Sequence, residues 1–138
     1  MALKITLKPN ERMIIGGAVV NNGGTRTDFT IENTVPLLRQ KDIMSEKEAN
    51  SPSRRLYFAI QLMYIDQHNV VAYHNAYWSI VQDIVKAAPS VLGLIDQISE
   101  LILGNQYYQA LKLAKTLIEY EQEVTRRVRK SSRSLQIN

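Results

Sequence analysis

Few side chains in this chain of 138 residues could do acid–base, nucleophilic or metal chemistry: two histidines, thirteen carboxylates and no cysteine. His68 and His74 have no second ligand at helical spacing, so they do not outline a zinc site. Glu119, Glu121 and Glu123 alternate along a helical stretch, which turns Glu121 away from the other two, and they have no evident acid–base partner. There is no HExxH, GxSxG, EF-hand loop or kinase signature. The glycine pairs Gly16-Gly17 and Gly23-Gly24 match neither phosphate-loop pattern and open no helix, so they read as turns. Without cysteine there are no disulfides or thiolates, which fits a reducing compartment. No catalytic group, cofactor or metal is expected, and a binding protein is the better reading.

What remains is cationic. The net charge of +4 is unevenly spread: residues 1–55 carry +3, residues 56–125 carry −4 and residues 126–138 carry +5. Positive ends around an acidic middle point to a polyanionic partner. The competing explanation is a solvated surface with a basic tail, since basic residues also suit a helix C-terminus. No segment is long and apolar enough to span a bilayer, and Lys4, Lys8, Glu11 and Arg12 break up any secretory core, so the cytoplasm is the expected compartment.

The elements that must position these charges fall into two groups. Residues 3–7 alternate apolar and polar as a half-buried strand. Further short strands are expected at 12–15, 18–21, 27–32 and 35–39, with Asn22-Gly23-Gly24 as a hairpin signal and Pro36 marking an edge or bulge. Ser51 followed by Pro52 is a helix start. Residues 54–66 are apolar nearly all round, so that helix is buried on more than one side, and Tyr57 and Tyr64 on it need polar partners. A helix at 69–88 carries Val70, His74, Tyr77, Val81 and Ile84 on one stripe, with Trp78 beside it as core or interface. Ser90 can cap a helix at 91–103. Gly104 can close it in a left-handed conformation, and Asn105 can cap the last helix, 104–123. The basic residues after it would add about one turn.

The fold class is therefore α+β: a small N-terminal antiparallel β-sheet lobe followed by a C-terminal bundle of about four helices. The expected boundaries are a β-lobe at 1–44, a linker at 45–53, a helical lobe at 54–125 and a basic tail at 126–138.

Four stretches carry a resemblance in the same order: LKITLKPNERMIIGGAVVNN, RQKDIM, SPSRRLYFAIQLMYID and YYQALKLAKTLIEYE. Together they are similar to the FlbT family of flagellum biosynthesis repressors. The resemblance implies a cytoplasmic post-transcriptional regulator that associates with the 5′ untranslated region of flagellin mRNA and promotes its degradation. Some relatives act as positive regulators, so the sign of the effect does not transfer. It also implies FlaF, a second small flagellar regulator, as a companion. Locally, NERMIIGGAVV and VPLLRQKDI resemble the carbon storage regulators, small β-proteins that bind mRNA leaders. That likeness implies RNA contacts at Lys4, Lys8, Leu38, Arg39 and Lys41, with first and last strands paired. The paired arginines of that family's first strand are absent here.

The expected RNA-binding residues are Lys4, Lys8, Arg39, Lys41, Arg54, Arg55, Arg126, Arg127, Arg129 and Lys130, with Tyr57 or Phe29 as stacking rings if exposed. The acidic middle reads as a poor RNA surface. The alternative is an interaction module for flagellin or FlaF, taking a partner helix in a groove lined by Tyr73, Tyr77, Trp78 and Tyr107. Apolar stripes and sheet edges also leave self-association open.

Overall fold

The computed structural model describes residues 2–136, with side chains described as far as Ser132. Five strands precede four α-helices: β1 (Leu3–Leu7), β2 (Arg12–Ile15), β3 (Ala18–Asn21), β4 (Thr27–Ile31), β5 (Leu37–Arg39), α1 (Pro52–Ile65), α2 (Val70–Ala87), α3 (Leu92–Leu103) and α4 (Tyr107–Gln136). The α+β class read from the sequence holds.

The strands form two sheets. β1 pairs antiparallel with β4, setting Ile5 opposite Phe29. The other sheet has the order β3-β2-β5, also antiparallel, with Ile14 opposite Leu38. First and last strands are therefore not paired, contrary to the carbon-storage-regulator likeness. A side chain bridges them instead: the Arg39 Nη2 donates to the Thr6 carbonyl at 2.8 Å.

Alternation along β2 explains why the second sheet sits in the middle. Met13 turns to a small cluster with Ile5 and Leu7, while Ile14 and its partner Leu38 turn to the helices. The sheet is thus apolar on both faces, a layer between β1/β4 and the helical bundle.

Turn chemistry sets the strand order. Gly16 and Gly17 have φ of +56° and +88°, the positive pair that a two-residue hairpin requires. Asn22-Gly23-Gly24 is not a hairpin, because β3 and β4 lie in different sheets. There the Asn22 amide donates to the carbonyls of Lys8 (2.8 Å) and Thr25 (2.9 Å), fastening the crossover to the exit of β1.

α1 is the central helix. Ser51 caps it by accepting from the Arg54 N–H, and Pro52 stands in its first turn. Leu56, Ile60 and Met63 are fully buried. One face of α1 stitches down the chain leaving the sheet. Tyr57 donates to the Asp42 carbonyl, Gln61 makes paired bonds with the Met44 backbone (2.8 and 2.9 Å), and Tyr64 accepts from the Leu37 N–H (3.0 Å). These are the partners the tyrosines needed, and Gln61 joins them at helical spacing.

Two helix ends differ from expectation. Ser90 makes no cap; it lies in a short 3-10 turn, Pro89–Val91, and its hydroxyl meets that of Tyr120 at 3.1 Å. At the end of α3 the left-handed residue is Asn105 (φ +59°), while Gly104 has φ −88°. Gln106 N–H bonds Leu101 C=O and Asn105 N–H bonds Ile102 C=O, which is a Schellman closure with asparagine in glycine's usual place.

α4 runs on through the basic segment rather than fraying after one turn. Residues 124–136 contain no glycine or proline, and arginine and lysine are good helix formers. Glu123 pairs with both Arg126 and Arg127 across that stretch. Residues 137 and 138 of the expected tail lie outside the described residues.

Candidate nucleic-acid interface

On the sheet side, Lys8, Arg26, Arg39 and Lys41 line a groove of about 590 Å³ with Thr6 and Glu11. The loop after β1 and the turn after β5 bring them together. Glu11 accepts from the Lys8 backbone N–H at 2.9 Å and meets the Arg39 guanidinium at 3.5 Å. The Lys8 hydrogen bond first, and Arg39 second, hold its carboxyl below the usual range. Arg39 is thus both groove wall and strut. Lys4 is exposed and shares its face of β1 with Thr6, extending the line outward.

Lys41 also lines a smaller pocket of about 110 Å³, beside Tyr108, Lys112 and Lys115 of α4. Lys115 forms an ion pair with Asp42, a carboxylate that is itself buried. Tyr108 is 40% exposed, and the Lys112 ammonium stands 4.8 Å from its ring centre.

A third groove, about 840 Å³, lies between the start of α1 and the far half of α4, lined by Arg54, Arg126, Arg129 and Lys130. Glu121 closes its inner end by accepting from the Ser53 N–H at 3.0 Å, which answers the positive end of α1. Arg55 and Arg127 are exposed but do not line this groove. Arg126 is shared with Glu123, at 2.8 Å.

One helix face connects these places. Tyr108, Lys112, Lys115, Glu119, Gln122, Arg126 and Arg129 recur in steps of four and three, so they share a side of α4 over roughly 31 Å. The acidic middle therefore also carries Lys112 and Lys115 on one face of α4. Its carboxylates are not absent from this side: Glu119 lies on the stripe, Glu123 borders it and pairs with Arg126, and Glu121 lines the groove beside Arg126 and Arg129.

The aromatic expectations divide. Tyr77 is fully buried with its hydroxyl on Ser99 (2.7 Å), so it cannot line a groove for a partner helix, while Tyr107, 7% exposed, lines a groove of about 480 Å³ with Tyr64, Gln67, Val70 and Asn105. Tyr73 is half-buried on Asp66, and Trp78, edge-on to Tyr77, is exposed. Tyr57 is buried and Phe29 half-buried between the sheets, so Tyr57 cannot stack on a base. The exposed ring beside the lysines is Tyr108. Sequence reasoning missed it with Arg26, Lys112 and Lys115, although the heptad spacing on α4 was there to be read.

Fold and surface describe a small α+β protein with a basic, aromatic-edged track. No described helix is long and apolar enough to cross a membrane. The model of the family described as "Flagellar protein FlbT" matches residues 3–125, and the chain belongs to that family. It is 39% identical over 127 residues to the probable flagellum biosynthesis repressor protein FlbT of Rhodopseudomonas palustris strain TIE-1, covering 92% of this chain and 100% of the relative. With the probable FlbT 1 of Bradyrhizobium diazoefficiens it shares 42% over 125 residues, 90% of this chain and 85% of that one. With the flagellum biosynthesis repressor protein FlbT of Caulobacter vibrioides strain ATCC 19089 it shares 35% over 125 residues, 89% of each. No solved structure matches the chain. These names place the chain in a family of regulatory repressors of flagellar biosynthesis.

Proposed function

We propose that this protein is a post-transcriptional regulator of flagellin synthesis that associates with the 5′ untranslated region of flagellin mRNA and promotes that message's degradation. The observation that carries the reading is the basic track from the sheet groove through Lys41 and along one face of α4 to Arg129. Phosphates are its natural ligands, with the arginine forks best suited to them. Unpaired bases could be read along it, as sequence-specific RNA recognition requires. An mRNA ligand also implies action in the cytoplasm.

The test is a salt titration of the purified protein on its flagellin leader RNA beside a scrambled RNA. Six to eight phosphate contacts give a slope of roughly −4 to −6, at about 0.7 per contact. Leader-selective binding with that slope supports the reading. Equal binding to both RNAs, lost at moderate salt, sinks it.

A protein partner, flagellin or FlaF, is the second reading. Exposed Val71 and Trp78 on α2 favour it, since the fully buried Tyr77 cannot. Titration of purified flagellin and FlaF against the Trp78→Ala variant tests it. Binding that ignores this change removes α2 from the account.

A further inference from the structure

The pocket between the sheet exit and α4 has a composition that the grooves around it lack. Leu38, Tyr57 and Leu111, each no more than 2% exposed, line it together with Asp42, whose carboxylate is held by Lys115. Tyr108, 40% exposed, Lys41 and Lys112 also line it, with the Lys112 ammonium 4.8 Å from the Tyr108 ring centre. At about 110 Å³ it is well below the roughly 300–1,000 Å³ of sites for drug-sized ligands, and a helix of about 10–12 Å diameter cannot enter it. With the Asp42 carboxylate taken up by Lys115, buried apolar side chains, a half-open aromatic ring and two further lysines suit one planar ring attached to a phosphate.

We propose that this pocket takes a single unpaired nucleotide of an RNA strand, its base stacked on Tyr108 and its flanking phosphates on Lys41 and Lys112. The proposal rests on the RNA reading above and assigns one site within it. Lys112 now covers the Tyr108 ring; its flexible stem lets the ammonium pass to a phosphate while a base takes the ring face. Lys115 is a positioning residue, because its ion pair with buried Asp42 fixes the turn after β5 against α4. Lys41 lines both this pocket and the sheet groove, so a strand lying in the groove would pass the pocket mouth.

The experiment is fluorescence anisotropy of labelled leader RNA with the wild-type chain and with Tyr108→Ala, Tyr108→Phe and Lys112→Ala, each checked by thermal melting. Tyr108→Ala should weaken binding about 5- to 150-fold with the salt slope unchanged, because stacking carries no charge. Tyr108→Phe should bind within about twofold of wild type, since the ring is kept. Lys112→Ala should shorten the slope by about 0.7. Selective wild-type binding with a Tyr108→Ala variant of equal affinity overturns the pocket and leaves the RNA reading standing. A wild-type chain that does not select the leader overturns both. Competition with adenosine monophosphate identifies the source of the nucleotide. Displacement at concentrations matching the RNA would make the ligand a free nucleotide and overturn the strand assignment; persistence of the RNA complex supports it.

Discussion

Gln61 shows how a single side chain can hold two parts of the fold in register. Its carbonyl and amide satisfy both backbone groups of Met44, where the chain leaves the sheet for α1, and Gln61 itself is 3% exposed. Gln61→Leu keeps the volume and strands a partly buried N–H and C=O. The expected cost is about 1–3 kcal/mol, read as a lower urea midpoint at unchanged slope. Asp66 does similar work at the turn between α1 and α2, accepting from Tyr73 (2.6 Å) and Asn69 (3.0 Å). The Tyr73 hydroxyl first, then the Asn69 amide, lowers its pKa. A depressed carboxyl contributes stability above its unfolded pKa and loses it as pH falls through the folded one. The stability gap between wild type and Asp66→Asn should therefore be full at neutral pH. It should close as pH drops below the ordinary carboxylate range, in urea titrations across that range.

α4 combines two tasks on two faces. Ala110, Ala114 and Leu117 are buried against the bundle, while the stripe from Tyr108 to Arg129 faces outward. Its exposed ion pairs with Glu123 contribute little to stability, because solvent and salt screen them. Changing Arg126 and Arg129 together to glutamine should therefore leave the thermal midpoint nearly unmoved. The same change should flatten the salt slope of leader binding by about 1.4. A flattened slope with an intact melt assigns these arginines to phosphate; an unchanged slope removes the far half of α4 from the interface. The 126–138 segment was legible as basic from its composition. That residues 126–136 would continue α4 was less so, because the same residues fit a frayed end.

The whole molecule depends on its middle layer. Ile14 and Leu38 are register partners that carry the sheet's contact with the helices, at 5% and 1% exposure. Leu38→Ala opens a void in the layer that joins the lobes, and should cost about 2–5 kcal/mol in denaturant melts. Because Ile14 shares the same packing, the Ile14→Ala, Leu38→Ala double variant should deviate from additivity by 0.5 kcal/mol or more, on the order expected for touching residues. Since Leu38 also lines the nucleotide pocket, its loss couples core packing to the proposed site.

Local pattern determined much of this by itself. Alternation marked the strands, Ser51-Pro52 marked the start of α1, and three- and four-residue spacing marked the helices and the buried stripe of α2. These features follow from periods of 2 and 3.6 and from short-range capping, which any window of the chain contains. Tertiary structure decided the rest. It split the strands into two sheets, so that β1 met β4 and Arg39 bridged where pairing was expected. It turned Tyr77 inward and Trp78 outward, and it set Tyr108 beside Lys41, some 67 positions away in sequence. Those outcomes depend on which face meets which neighbour, and contacts between distant residues leave no local period to read.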